Sequence, residues 1–250
     1  MQDYHLEHSQ DLGKAEQAFS QCYKHALGNL EAETGGYFYF DKSLNFSFHS
    51  CTNLNSYEKN QFNFRDSQFY NYYINDQIVC LFHTHITDDV APSELDKETS
   101  HSFRLPCYIF STKSKESYLF YPDNHKPTAL DKRQFIPLFQ DCISYIKDYL
   151  IFNFNINLNE YKINWSRPRN DPNKVLINYL DLYFNEVNKN DIKNGDILVF
   201  PETISKYFHV GIVDKETYLF HHPVHMFPEK QLISDSMLNQ VYKIYRHKDL

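Results

Sequence analysis

A chain of 250 residues, 42% hydrophobic and 17% aromatic, allows one or two domains and can fill two ordinary cores. Its formal net charge of −7, with no basic stripe to offset it, excludes a large nonspecific nucleic-acid surface, which would have to neutralise phosphate. Cysteines at 22, 51, 80, 107 and 142 are odd in number and lack paired spacing, which excludes a disulfide framework and points to a reducing compartment. No run approaches the ~18 consecutive apolar residues of a membrane helix. The first residues, Met-Gln-Asp-Tyr-His-Leu-Glu, lack a basic stretch followed by an apolar one, so no secretory signal is expected.

In chain order, 15–30 is helix-like, 36–51 reads as a hairpin and 66–74 as a helix. The run Gln77-Ile78-Val79-Cys80-Leu81-Phe82 is short, apolar and rich in strand formers, and so reads as a buried strand ending at His83 and His85. Pro92-Ser93-Glu94-Leu95-Asp96 starts a helix, with Ser93 as N-cap and Asp96 in the first turn. Two strands follow over 107–121, and Pro122 to Thr128, with two prolines among polar residues, is a linker. A helix starts at Cys142, with apolar Ile143, Ile146 and Leu150. Another starts at Asp171-Pro172, with Asp171 as N-cap and an apolar stripe of Leu176, Leu180, Phe184 and Val187. A turn then a strand are expected over 194–200, and strands over 208–213, 218–222 and 242–246. The expected fold class is α+β in two domains, 1–125 and 126–250.

His83 and His85 are one residue apart at a strand end. Because side chains alternate faces with a period of two, both imidazoles can hold one cation. Asp96 supplies a third ligand from the following helix. Three protein ligands leave the fourth position of a tetrahedral zinc site open, the arrangement of catalytic zinc, so hydrolysis is expected. His83-Thr-His85, seven residues, Ser93, two residues, Asp96 resembles the signature of the JAMM (MPN-type) zinc metallopeptidases. That resemblance implies an upstream glutamate as general acid/base. Glu33 fits it, in Glu33-Thr34-Gly35-Gly36-Tyr37-Phe38, while the competitor Glu31 lacks the glycine spacing. It also implies that Ser93 hydrogen-bonds the oxyanion or a partner of the catalytic water.

A second chemistry follows. Cys142 lies in the first turn of its helix, where unpaired amides and the positive end of the macrodipole are expected to stabilise a thiolate and lower its pKa. A hairpin formed by 208–213 and 218–222 brings His209 close to His221 or His222. Asp141-Cys142, Gly195-Asp196-Ile197-Leu198, His209-Val210-Gly211-Ile212 and His221-His222 together resemble the NlpC-type papain-like thiol peptidases. The resemblance implies Cys142 as nucleophile, His209 as general base and acid, and His221 as the residue that orients it. The twelve-residue spacing from His209 prefers His221 to His222.

A JAMM module followed by an NlpC-type module resembles the tail-tip assembly protein K family of lambda-like tailed phages. Segments such as Ala91 to Asp96, Leu105 to Ser111 and Asp141 to Tyr149 carry the likeness, which covers residues 30–250. It implies a zinc-dependent and a thiol-dependent peptidase centre, with Zn2+ as cofactor. The implied substrates are peptide or isopeptide bonds of phage tail-tip proteins, or peptidoglycan peptides. The implied location is the host cytoplasm during assembly, with the virion tail as the alternative. Two other functions stay open: an assembly factor whose modules mainly bind partners, and a peptidoglycan endopeptidase acting at cell entry. Oligomeric state is not legible. His25, His49, His101, His125 and His225 carry no ligand-like spacing and are expected to be surface or core groups. His101, five residues after Asp96, has in addition a possible contact behind the metal ligands.

Overall fold

The computed structural model describes residues 3–54, 62–131, 133–158, 160–161, 172–201, 208–223 and 226–250. The expected N-cap Asp171 and the discounted His225 lie outside them. The chain divides into two compact units, Met1–Lys126 with Asn159–Arg169, and Pro127–Leu158 with Asn170–Leu250. Both are mixtures of helix and sheet.

In the first unit, helix α1 (Asp3–Leu27) precedes the antiparallel hairpin of β1 (Gly35–Phe40) and β2 (Phe46–Cys51). Then come α2 (Ser67–Ile74), β3 (Ile78–His85), α3 (Glu94–Phe103), β4 (Cys107–Ser111) and β5 (Ser117–Phe120). A short β6 (Glu160–Tyr161) completes a sheet of order β2-β1-β3-β4-β5-β6. Alternation sorts its side chains. Phe38, Phe46, Phe48 and Phe82 cluster on one face, where Phe19 of α1 packs 5.2 Å from Phe38, centroid to centroid. Tyr37, Leu81, Cys107 and Ile109 take the other face, with Phe69 of α2 and Phe103 of α3 packed against them. Each fully buried phenylalanine contributes about 1.5–3 kcal/mol of transfer free energy. Truncating Phe38, which is fully buried, should therefore cost about 3–5 kcal/mol once the cavity is included.

Among the described residues only β3 and β4 run parallel, as the crossover through α3 requires. That βαβ unit sets the position of the site. His83 and His85 emerge on the face of Leu81 at the carboxyl end of β3, and the first turn of α3 lies just beyond, where ligand sites form in parallel sheets.

The second unit contains α4 (Cys142–Phe154), α5 (Pro172–Tyr183), β7 (Phe184–Glu186), β8 (Ile197–Phe200) and β9 (His209–Asp214). It continues with β10 (Tyr218–His221), β11 (Glu229–Leu232), α6 (Asp235–Leu238) and β12 (Lys243–His247). The sheet is antiparallel, in the order β11-β10-β9-β8-β12-β7. The β9–β10 turn places Lys215 and Glu216 at φ 52° and 59°, the left-handed pair of a tight hairpin turn whose twist matches the strands. Helix α4 starts on a capping box. Asp141 accepts from the amides of Ile143 and Ser144, and Ser144 Oγ accepts the Asp141 amide in return. It is buried from Ile143 to Leu150, Lys147 and Asp148 included, so its environment is wider than the stripe at 143, 146 and 150 implies. Arg133, itself buried, pairs with Asp148 at 3.0 Å.

Three expectations need correction. Helix α1 begins at Asp3 and ends at Leu27 rather than spanning 15–30. Phe184, read as part of a helical stripe, is the first residue of β7, and Val187 follows that strand. There, pairing with β12 outweighs the continuing period. Residues 160–161, expected in the second domain, pair with β5 of the first sheet.

Candidate functional site

Two elements carry the metal candidates. Nε2 of His83 lies 3.3 Å from Oδ1 of Asp96, and Nε2 of His85 lies 3.4 Å from Oδ2, with the three ligand atoms all within 4.8 Å of one another. Bonds of about 2.0–2.2 Å to one tetrahedral ion would separate such atoms by roughly 3.3–3.5 Å, so the two imidazole-to-carboxylate distances match zinc, and the donor types suit it. The three side chains keep 10–12% of their surface, leaving an opening to solvent.

The surroundings hold these ligands in place. Ser93 donates from both its amide and its hydroxyl to Asp96 Oδ2, each at 2.7 Å, while Asp96 N donates to Ser93 Oγ at 3.3 Å. This is the capping box of α3, and it fixes the carboxylate as it fixes the helix start. The Asp89 carbonyl accepts from Nδ1 of His85 at 3.0 Å, which leaves the Nε2 lone pair for a cation. Glu33 is buried and lines the same cavity of about 370 Å³ as Phe62, His83, His85, Ser93 and Asp96. Its position follows from the backbone: Thr34 N donates to Thr84 Oγ1 and Thr84 N to Thr34 O, while Gly35 pairs with His83. Glu31 is exposed, with its amide on Asn29, and lines no part of that cavity.

Burial pushes the Asp96 carboxyl up, but the adjacent His85 and His83 imidazoles and the two bonds from Ser93 outweigh it and hold the pKa down to about 2. His83 is pushed down to about 4, by burial first and His85 second, against Asp96. Burial also opposes the charged form of His85, yet Asp96, the Asp89 carbonyl and Glu33 prevail and raise it. Glu33 is pushed up to about 7, chiefly by burial, with His85 opposing and Asp96 adding. An ionised carboxylate beside a neutral His83 is the protonation state that ligation requires.

In the second unit His209 Nε2 lies 2.8 Å from His221 Nδ1, while Nε2 of His221 faces Glu229 Oε2 at 4.0 Å. His222 points elsewhere: its Nε2 donates to the Met226 carbonyl at 3.1 Å, and its ring packs edge-on to Phe135. A Cβ on Gly211, opposite His221, would sit 3.1 Å from the His221 Cβ and 2.8 Å from the Leu219 side chain, so a larger residue there would force both to shift. Glu229 gave no signal in the sequence, since it reaches His221 only through the pairing of β10 with β11.

Cys142 is the first residue of α4, and its sulfur takes the backbone N–H of Val210, next to His209. The expected lowering of its pKa is not found. Desolvation of the sulfur, followed by the Asp141 carboxylate, pushes the thiol up to about 12, and the amides of Val210, Cys142 and Ile143 offset only part of that. The cap that orders the helix start thus places a negative charge beside the thiol. Among the described residues no hydrogen bond joins Cys142 to His209 or His221. His209 is itself pushed down to about 3, by burial and then His221, so thiol and imidazole are both neutral at rest. His101, considered for a contact behind the ligands, is exposed and lines a separate groove with Lys97 and Phe120.

No family model matches the chain. Over 175 residues, 69% of this chain and 71% of the relative, it is 24% identical to the tail tip assembly protein K of Escherichia phage N15. No helix among the described residues is long and apolar enough to cross a membrane.

Proposed function

We propose that this chain is a two-centre peptidase of phage tail-tip assembly, with a JAMM-like zinc unit preceding an NlpC-type thiol unit. The observation that carries the reading is the His83, His85 and Asp96 cluster, with each imidazole 3.3–3.4 Å from a carboxylate oxygen and Glu33 on the same cavity. Likeness to a tail tip assembly protein supports the assembly role. Zinc, when bound by these three residues, would supply Lewis-acid polarisation of water and of the scissile carbonyl. Glu33 would take a proton from the attacking water and return it to the leaving amine. Ser93 holds Asp96, and its hydroxyl can serve an oxyanion only by giving up that bond. In the second unit Cys142 would attack a carbonyl as His209 takes its proton, with His221 orienting the imidazole.

Incubating purified protein separately with tail-tip proteins and with peptidoglycan, then mapping new termini by mass spectrometry, tests the proposal. Cleavage that a chelator abolishes belongs to the first unit, and cleavage that Cys142→Ala abolishes belongs to the second. No cleavage of either substrate rejects the peptidase reading. One observation favours a second reading for the C-terminal unit, a partner-binding module: Cys142 is a raised-pKa thiol with no hydrogen bond to His209 among the described residues.

A further inference from the structure

His49 and Cys51 stand two residues apart on β2, so they share a face of this edge strand for the same reason that His83 and His85 share one on β3. Asp66, the N-cap of α2, joins them. Its Oδ1 accepts the Gln68 amide at 2.7 Å, and its Oδ2 lies 3.0 Å from His49 Nε2 and 3.8 Å from Cys51 Sγ. The nitrogen, sulfur and oxygen atoms all fall within 4.8 Å of one another. Tetrahedral bonds of about 2.0–2.3 Å would set such atoms roughly 3.3–3.8 Å apart. Tyr37, the cross-strand partner of His49, stacks on its ring at 5.1 Å and donates to Asp66 Oδ2 at 3.3 Å, orienting both ligands as outer partners of metal ligands do. The His49 side chain is 33% exposed, which provides an entry path.

We propose that His49, Cys51 and Asp66 form a second metal site, one that takes zinc or another thiophilic divalent cation and ties the start of α2 to the edge strand. It is separate from the first centre. Gly35 pairs with Cys51 on one side and His83 on the other, so the clusters share a sheet face two strand spacings, about 10 Å, apart. The Phe62 ring fills the space over Gly35, 2.3 Å from where a Cβ would stand, and lies between them. A mixed nitrogen, sulfur and oxygen set suits zinc, and a bound cation would offset the repulsion between carboxylate and thiolate. Binding breaks the Cys51 S–H bond, and the proton leaves to solvent.

Cobalt is the probe, because a thiolate ligand adds a sulfur-to-metal charge-transfer band in the near ultraviolet and the three ligands of the first centre include no sulfur; Cys107 also lines that cavity, so the Cys51→Ser variant assigns the band. The 250-residue chain stripped of metal should take up two equivalents of cobalt and develop that band. Cys51→Ser should bind one equivalent without the band, and His49→Gln should weaken uptake of the second by about 10-fold or more. His83→Ala/His85→Ala should lose one equivalent and keep the band, so failure of either centre is read independently of the other. A wild-type chain that binds cobalt without the band, or a band that persists in Cys51→Ser, overturns the site. The wild-type titration needs no substitution, so a misfolded variant leaves the test intact.

Discussion

Nε2 of His85 stands 3.4 Å from Oδ2 of Asp96, while Ser93 reaches the same oxygen at 2.7 Å twice. Charge-assisted N–H···O bonds are shorter, at about 2.7–2.9 Å. The carboxylate is therefore held by the helix cap, at a distance from the imidazoles that leaves room for an ion. Ser93→Ala should do two things. It should cost about 1 kcal/mol in stability through the lost cap, and weaken zinc binding at this centre by about 10–100-fold through the released carboxylate. Thermal unfolding and a zinc titration read the two separately. An affinity unchanged in a destabilised variant would show that the cap does not position Asp96.

The histidines of the second unit predict acid sensitivity. His209 and His222 are both pushed down to about 3, by burial first, against about 6.5 in an unfolded chain. Between those values the unfolded state binds more protons, so stability is full above about pH 6.5 and falls as pH drops toward 3, by up to about 1.4 kcal/mol per pH unit for each histidine. Hydrogen exchange in β9 and β10, measured from pH 7 to 4, should show it, and His222→Gln should flatten the slope. Pulsed exchange that yields a pH-independent stability would contradict the neutral, buried assignment.

Cys142 leads to a third expectation. A thiol pushed up to about 12 should react slowly with iodoacetamide at pH 6–7, with a rate that keeps climbing through the alkaline range. Being partly exposed while the other four cysteines are buried, it should still label first in the folded protein. Residue-by-residue labelling rates by mass spectrometry test this. Rapid labelling already at pH 6 would mean a preformed thiolate and restore the expectation drawn from the helix start.

That His83, His85, Ser93 and Asp96 would come together was legible because it rests on local rules. Strand alternation puts His83 and His85 on one face, and N-cap chemistry places Ser93 and Asp96 at one helix start, so only the meeting of β3 with α3 had to be supplied by the fold. The contact of His209 with His221 was legible for the same reason, as hairpin pairing fixes it. What stayed hidden depends on distant partners. The raised pKa of Cys142 comes from burial and from the carboxylate that caps its helix, and spacing does not reveal which charge prevails. Strand β6 is assigned by its pairing with β5, some forty residues upstream, which two residues cannot announce. His49 and Cys51 carried the same alternation signal as His83 and His85. Their third member, Asp66, comes from a separate helix cap, so His49 read as an ordinary surface group.

If the cavity of Glu33, His83, His85 and Asp96 hydrolyses peptide bonds, Glu33→Gln should disable it. The substitution keeps the shape and hydrogen-bonding reach of the side chain while removing the carboxylate that would move the proton. Metal content and cleavage rate should be measured on the same preparation, using the tail-tip or peptidoglycan substrate that the wild type cuts. Metal content at this centre should be unchanged and metal-dependent turnover reduced by about 100-fold or more. Undiminished turnover with metal retained would contradict the hydrolytic role.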